Sequence, residues 1–83
     1  MTLRQTYYPI VGQSNVFDGT IAYVKMLFVA RNGVEYDVLT SVNDIMINTR
    51  QAHYNPSTGV IQFDPNIPFE EQESINIVYD TNI

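Results

Sequence analysis

Few side chains in this sequence could carry chemistry, and their spacing decides against most of it. His53 is the single histidine, and cysteine is absent. A hydroxyl nucleophile needs a base held against it. His53 sits beside Tyr54 at the start of a polar turn, and no Gly-x-Ser-x-Gly elbow exists, so His53 reads as a titrating or structural surface residue. Asp64, Glu70, Glu71 and Glu73 form the one acidic cluster. Paired carboxylates serve glycoside hydrolysis, and clustered ones can ligate calcium. Calcium loops need a tight Asp-x-Asp-x-Asp-Gly run, which is missing, so these four residues read as a solvated loop. One histidine without cysteine makes no zinc set. Gly12, Gly19, Gly33 and Gly59 are scattered and read as turn residues, not as a phosphate cradle. The sequence therefore predicts no catalytic residues, no metal and no cofactor. Aromatic side chains remain. Tyr7, Tyr8 and Tyr54 are the tyrosines expected at the surface, where they could stack on sugars. Tyr23 and Tyr36 are expected on or near the core face.

The 83 residues make one domain, 1–83. A chain this short buries only somewhat more than ~60% of its unfolded surface. With no disulfide to staple it, association between subunits is expected as the further source of stability. The formal net charge is −5, with only Arg4, Lys25, Arg31 and Arg50 positive. No basic patch can follow a phosphate backbone, so nucleic acid is not an expected partner. The opening MTLRQTYYPI lacks the basic start and apolar core of a signal peptide. No apolar run approaches the ~18–20 residues of a membrane-spanning helix, so no membrane partner is expected.

The element that must position everything else is Val24–Thr40, VKMLFVARNGVEYDVLT. Asn32-Gly33 between two strand-like runs is the strongest short-range hairpin signal, because both central residues of a type I′ turn take positive φ. With that turn, Arg31 pairs with Val34, Ala30 with Glu35, Val29 with Tyr36, Phe28 with Asp37, Leu27 with Val38 and Met26 with Leu39. Alternation then puts Leu27, Val29, Tyr36 and Val38 on one wholly apolar face, the expected core. Met26, Phe28 and Leu39 share the other face with Glu35 and Asp37. A one-residue slip would bury the two acids, at a cost of several kcal/mol if they were left unpaired.

Around this hairpin, spanning 21–40, the rest of the chain reads as short strands and turns. Residues 1–19 are an extended N-terminal arm in which Tyr7, Tyr8, Ile10 and Val11 suggest a strand that Pro9 confines to an edge. Val16 and Phe17 either tuck under the core or, with the arm, reach a neighbouring subunit. Thr20–Ala30 is apolar enough for a central strand covered on both faces. Asp44–Gln51 alternates like a strand, with a capped helix from Ser41 or Asn43 as the rival over 41–52. Tyr54–Gly59 is dense turn chemistry, followed by a strand at Val60–Asp64. Pro65 and Pro68 keep Pro65–Glu73 out of a sheet interior. That segment is expected to cross one end of the fold and plug it with Ile67 and Phe69. Ser74–Asp80 is the last strand, with Ile75, Ile77 and Tyr79 inward. About six strands separated by turns predict an all-β chain, a small β-sandwich of Ig-like or jelly-roll-like type.

The closing stretch YNPSTGVIQFDPNIPFEEQESINIVYDT resembles the ends of small Ig-like and fibre-type β modules in bacteriophage virion proteins. Gly59, Ile61, Phe63, Pro65, Glu73, Ile75, Ile77 and Tyr79 carry the likeness, over about a third of the chain. Bacterial adhesion and fibronectin-like modules end similarly. The resemblance implies a β-sandwich and a virion role in capsid decoration, a head fibre or a tail, after synthesis in the host cytoplasm.

The expected function is accordingly structural: binding other virion proteins, together with homo-oligomerisation. The expected interface residues are Met26, Phe28 and Leu39 on the outer hairpin face, and Tyr7, Tyr8 and Phe17 on the arm. A carbohydrate-binding or adhesion module acting through exposed tyrosines is the alternative.

Overall fold

The computed structural model describes residues 1–40 and 50–81. The described residues form an all-β domain of seven strands with one short 3-10 turn. The strands are β1 (Thr2–Tyr7), β2 (Asn15–Phe17), β3 (Lys25–Arg31), β4 (Val34–Leu39), β5 (Gln51–Asn55), β6 (Val60–Gln62) and β7 (Ile75–Asp80). They form one curled sheet in the order β1-β7-β3-β4-β5-β6-β2. All pairings are antiparallel except β4 with β5.

The hairpin turn forms as its chemistry requires. Asn32 has φ 52° and Gly33 φ 79°, the left-handed pair of a type I′ turn. Arg31 pairs with Val34, Ala30 with Glu35 and Val29 with Tyr36. The expected pairs beyond Tyr36 do not form. β4 turns away and pairs in parallel with β5, with Asp37 opposite Gln51, Val38 opposite Ala52 and Leu39 opposite His53. One strand thereby serves two halves of the sheet. On its other side, β3 pairs with β7 and carries an irregularity between Met26 and Phe28. The extra residue, Leu27, shifts the alternation by one. Met26 therefore packs against the core, while Leu27 is 47% exposed. These two residues exchange the faces that the sequence alone assigns them.

The core is fed by both halves. Val29, Ile75, Ile77 and Tyr79 come from β3 and β7, and Ala52, Tyr54, Ile61 and Val16 come from β5, β6 and β2. Each buried Ile or Val removes apolar surface worth roughly 1.5–3 kcal/mol from water. β7 alternates as its sequence predicts, with Ile75, Ile77 and Tyr79 buried. Phe69 plugs the core from the proline-rich crossover, as expected, but Ile67 is 39% exposed. Ring edges of Tyr36 and Phe69 meet Phe63 at centroid distances of 5.3 and 5.6 Å, a favoured aromatic geometry.

Three further expectations change. The N-terminal strand ends at Tyr7, before Pro9, and forms an edge by pairing with β7. A strand, β2, lies inside the stretch that reads as loop. Tyr54 belongs to β5 rather than to a turn. The strand-or-helix question at 41–52 falls mostly on 41–49, outside the described residues; Gln51 and Ala52 are in β5.

Candidate functional site

The residues that suggested chemistry are dispersed. His53 lies half-buried in β5, opposite Leu39 on one side and Gln62 on the other. The acidic cluster separates by role. Asp64 accepts the Asn66 N–H at 2.9 Å, closing a local turn. Glu70 and Glu71 face water. Glu73 turns inward. Among the described residues, no three His, Asp or Glu side chains gather as a metal site.

Glu73 forms a clamp with Arg31. The side chains of Arg31 and Glu73 are only 6% and 10% exposed. Arg31 Nε donates to Glu73 Oε1 at 2.7 Å and Nη2 to Oε2 at 2.9 Å. This is the bidentate fork that suits guanidinium to carboxylate. Nη1 donates to the Ile67 carbonyl and Nη2 also to that of Pro68. The guanidinium lies 4.8 Å from the Phe69 ring centroid and 5.7 Å from that of Phe63, close enough for cation–π attraction. Asn32 completes the cluster, donating from Nδ2 to Glu73 Oε1 at 2.9 Å and accepting the Ser74 N–H on Oδ1 at 2.9 Å. The Arg31 hydrogen bonds hold the Glu73 carboxyl below its ordinary pKa. Every nitrogen of Arg31 has an acceptor, so the cluster offers no free charge to a ligand. It fastens the hairpin turn to the crossover. Sequence reasoning leaves Arg31 at the turn and Glu73 in water. The signal was present only in the register: Arg31 stands opposite Ile75, and Glu73 lies two residues before it, on the same side.

A second junction joins the two sheet edges. Tyr7 at the end of β1 donates its hydroxyl to Asp18 Oδ2 at 2.7 Å. Asp18 follows β2, so this bond crosses the seam between the edge strands. The other carboxylate oxygen accepts from the Thr20 N–H and hydroxyl at 2.9 and 2.7 Å, capping the 3-10 turn Gly19–Ile21. The Thr20 hydroxyl leads the effects that lower the Asp18 pKa. Burial, and then Asp18, raise that of Tyr7. The Asp18 N–H reaches the Gly59 carbonyl at 3.1 Å. Gly59 has φ 79°, and a Cβ there would collide with the Asp18 carbonyl oxygen. It is a close-approach glycine as well as a turn residue. Beneath this junction, Tyr54 is 1% exposed and donates its hydroxyl to the Ile21 carbonyl.

Beside the seam opens an apolar groove of about 280 Å³ lined by residues 7–10, Gln13 and 15–17. Its volume falls just below the ~300–1,000 Å³ of small-molecule pockets. Its connecting loop is pinned from behind. The Gly12 N–H reaches the Phe69 carbonyl, the Phe69 N–H reaches the Gln13 carbonyl, and the Phe63 N–H reaches the Ser14 carbonyl. In front, Tyr8 is 79% exposed, Ile10 66%, Val11 58% and Phe17 70%.

Of the six expected interface residues, Tyr7, Tyr8 and Phe17 thus meet at one groove. The hairpin trio is dispersed. Met26 packs against the core, Phe28 stands half-buried opposite Val78, and Leu39 is half-buried on the part of β4 that pairs with β5. Val16 tucks under and Phe17 does not. Two aromatics reverse their expected places: Tyr54 is core, and Tyr23 is 65% exposed with φ 60°. No helix is long and apolar enough to cross a membrane, among the described residues. No protein-family model, curated protein or solved structure matches the chain.

Proposed function

We propose that this chain is a non-enzymatic structural or accessory protein of a virion that binds a protein partner and associates with itself through the groove at the β1–β2 seam. One observation carries the binding role. Tyr8, Ile10 and Val11, on a loop pinned by backbone bonds, and Phe17, on β2, expose their side chains within ten residues of chain. Scattered single apolar residues are normal on protein surfaces, whereas contiguous ones mark contact sites. Tyrosine and phenylalanine also suit interface centres, because they bury much area for little lost rotamer freedom. The virion setting rests on the likeness of the closing stretch from Gly59 to Tyr79. The carbohydrate reading loses its turn tyrosine, since Tyr54 is buried.

Sedimentation velocity over a range of protein concentrations tests self-association. Wild-type protein should show a concentration-dependent shift to a larger species, and the double variant Tyr8→Ser with Phe17→Asp should remain monomeric. A wild-type chain that stays monomeric at every concentration would overturn the self-association half. The partner half is tested by purification from native source. Sedimentation with particles, reduced by the same double variant, is the expected result; free migration of the wild type would end the virion reading.

A further inference from the structure

We propose that Asn32-Gly33 is a self-modification site that the clamp holds shut. It is the single Asn-Gly bond in the sequence. In such a pair, the Gly33 backbone nitrogen loses its proton and attacks Asn32 Cγ. The Cγ–Nδ2 bond breaks, and ammonia leaves with the proton. Water then opens the succinimide to aspartate or isoaspartate. No oxidant, metal or enzyme is needed. Glycine makes this easy because no side chain shields the attacking nitrogen.

The native geometry opposes each part of that step. Ring closure needs the Asn32 side chain and backbone to rotate together. The side chain is tied at both ends, Nδ2 to Glu73 and Oδ1 to the Ser74 N–H, each at 2.9 Å. The backbone is fixed by the left-handed turn and by the Asn32 N–H bond to the Ser74 carbonyl at 2.9 Å. The leaving amide is thus bonded to a carboxylate that Arg31 itself anchors. The product would weaken the clamp that had protected the site. An aspartate at 32 sets a new negative charge where an amide donated to Glu73, and the two carboxylates would compete for one buried guanidinium. An isoaspartate adds a methylene to the backbone of a two-residue turn. Either outcome loosens the crossover that carries Phe69.

The chain supplies its own control. Asp18-Gly19 can form the same imide when its carboxyl is protonated and leaves as water, and that carboxylate is tied independently, to Thr20 and Tyr7. The test is peptide mapping with isoaspartate resolution on the full chain aged at mildly alkaline pH. Three samples are compared: the folded wild type, the wild type in guanidinium, and the double variant Arg31→Met with Glu73→Leu. The double variant replaces the ion pair with apolar groups, an exchange that folds commonly tolerate, and circular dichroism verifies that it is folded. The folded wild type should modify Asn32 roughly tenfold or more slowly than the denatured chain, since modification must wait for local opening. The folded double variant should modify Asn32 several-fold faster than wild type, with Asp18 unchanged. Equal rates in folded and denatured wild type would overturn the proposal. So would a folded double variant as slow as wild type at Asn32, or one in which Asn32 and Asp18 accelerate together, because protection would then come from global folding rather than from the clamp.

Discussion

The Arg31–Glu73 clamp and the Tyr7–Asp18 seam perform the same task by opposite means. Each ties distant parts of the chain together, the first across 42 residues and the second across 11. The clamp uses two buried charges, and its apolar neighbours Phe63 and Phe69 are wholly covered. Across the seam a single neutral donor, the Tyr7 hydroxyl, reaches the Asp18 carboxylate, and its apolar neighbours Tyr8 and Phe17 are left in water. A small core without disulfides needs fastenings at both places. The difference lies in what surrounds them. Where the crossover supplies carbonyls and rings, a full set of partners can be assembled around a guanidinium. Where two edge strands merely approach, the fastening is lighter and apolar surface remains for another molecule.

Breaking the clamp should have the largest effect. Glu73→Ala strands the Arg31 guanidinium in a site that excludes water, and removing one partner of a buried pair costs about 3–5 kcal/mol. The denaturant midpoint should fall accordingly, and a variant as stable as wild type would show that Arg31 finds solvent instead. Gly59→Ala comes next. A methyl group there meets the Asp18 carbonyl oxygen while the backbone keeps a left-handed φ, so a loss of roughly 2 kcal/mol or more is expected in the same measurement.

Tyr7→Phe weakens the seam more gently. It removes one charge-assisted hydrogen bond, worth about 1–2 kcal/mol, and it also separates the two regions by pH. Glu73 has its folded pKa below the unfolded value of about 4.3, through its Arg31 hydrogen bonds. Its stabilising contribution is therefore present above that value and is lost as pH falls through the folded pKa. Asp18 behaves likewise, chiefly through Thr20. Tyr7 runs the other way. Burial first, and Asp18 second, raise its pKa above the ordinary value of 10.0. Its contribution is complete below that pH and is lost as pH rises towards the folded value. Acid should loosen the clamp and alkali the seam. Stability profiles of wild type and Tyr7→Phe should diverge most in neutral solution and converge above about pH 10. Tyr54, also raised by burial, keeps some alkaline dependence in both.

What could be read from the chain follows the range of the forces involved. The Asn32-Gly33 turn and the first three hairpin pairs were legible because turn chemistry is local. Ile75, Ile77 and Tyr79 were legible because alternation is local too. Leu27 was not, because its extrusion answers to the register of β7, about fifty residues away. The departure of β4 towards β5 was hidden for the same reason: a parallel pairing leaves no mark at either strand's ends. Tyr54 was masked by the turn residues beside it, although its neighbour Ala52 and its partner Ile61 are both buried. At the seam, Tyr7, Tyr8 and Phe17 show only their aromatic type in the sequence, and topology brings them together. Arg31 and Glu73 needed the β3–β7 register before either could suggest the other.

The smallest effect on stability should come from the residue that most invites substitution by its chemistry. Phe17 lies in a three-residue edge strand with Val16 buried and its own ring 70% exposed. In a monomer, Phe17→Asp therefore removes little packing, and exposed substitutions of this kind change stability within about 0.5 kcal/mol. Val16 on the adjacent, inward position is the necessary contrast, since truncating it to Ala deletes buried methyl groups. If Phe17→Asp unfolds dilute protein as readily as Val16→Ala does, the ring must already be covered in the monomer, and the groove is part of the core rather than a surface. If dilute Phe17→Asp is as stable as wild type while concentrated wild type gains stability that the variant lacks, the ring acts between molecules, as mass action on an associating folded state requires.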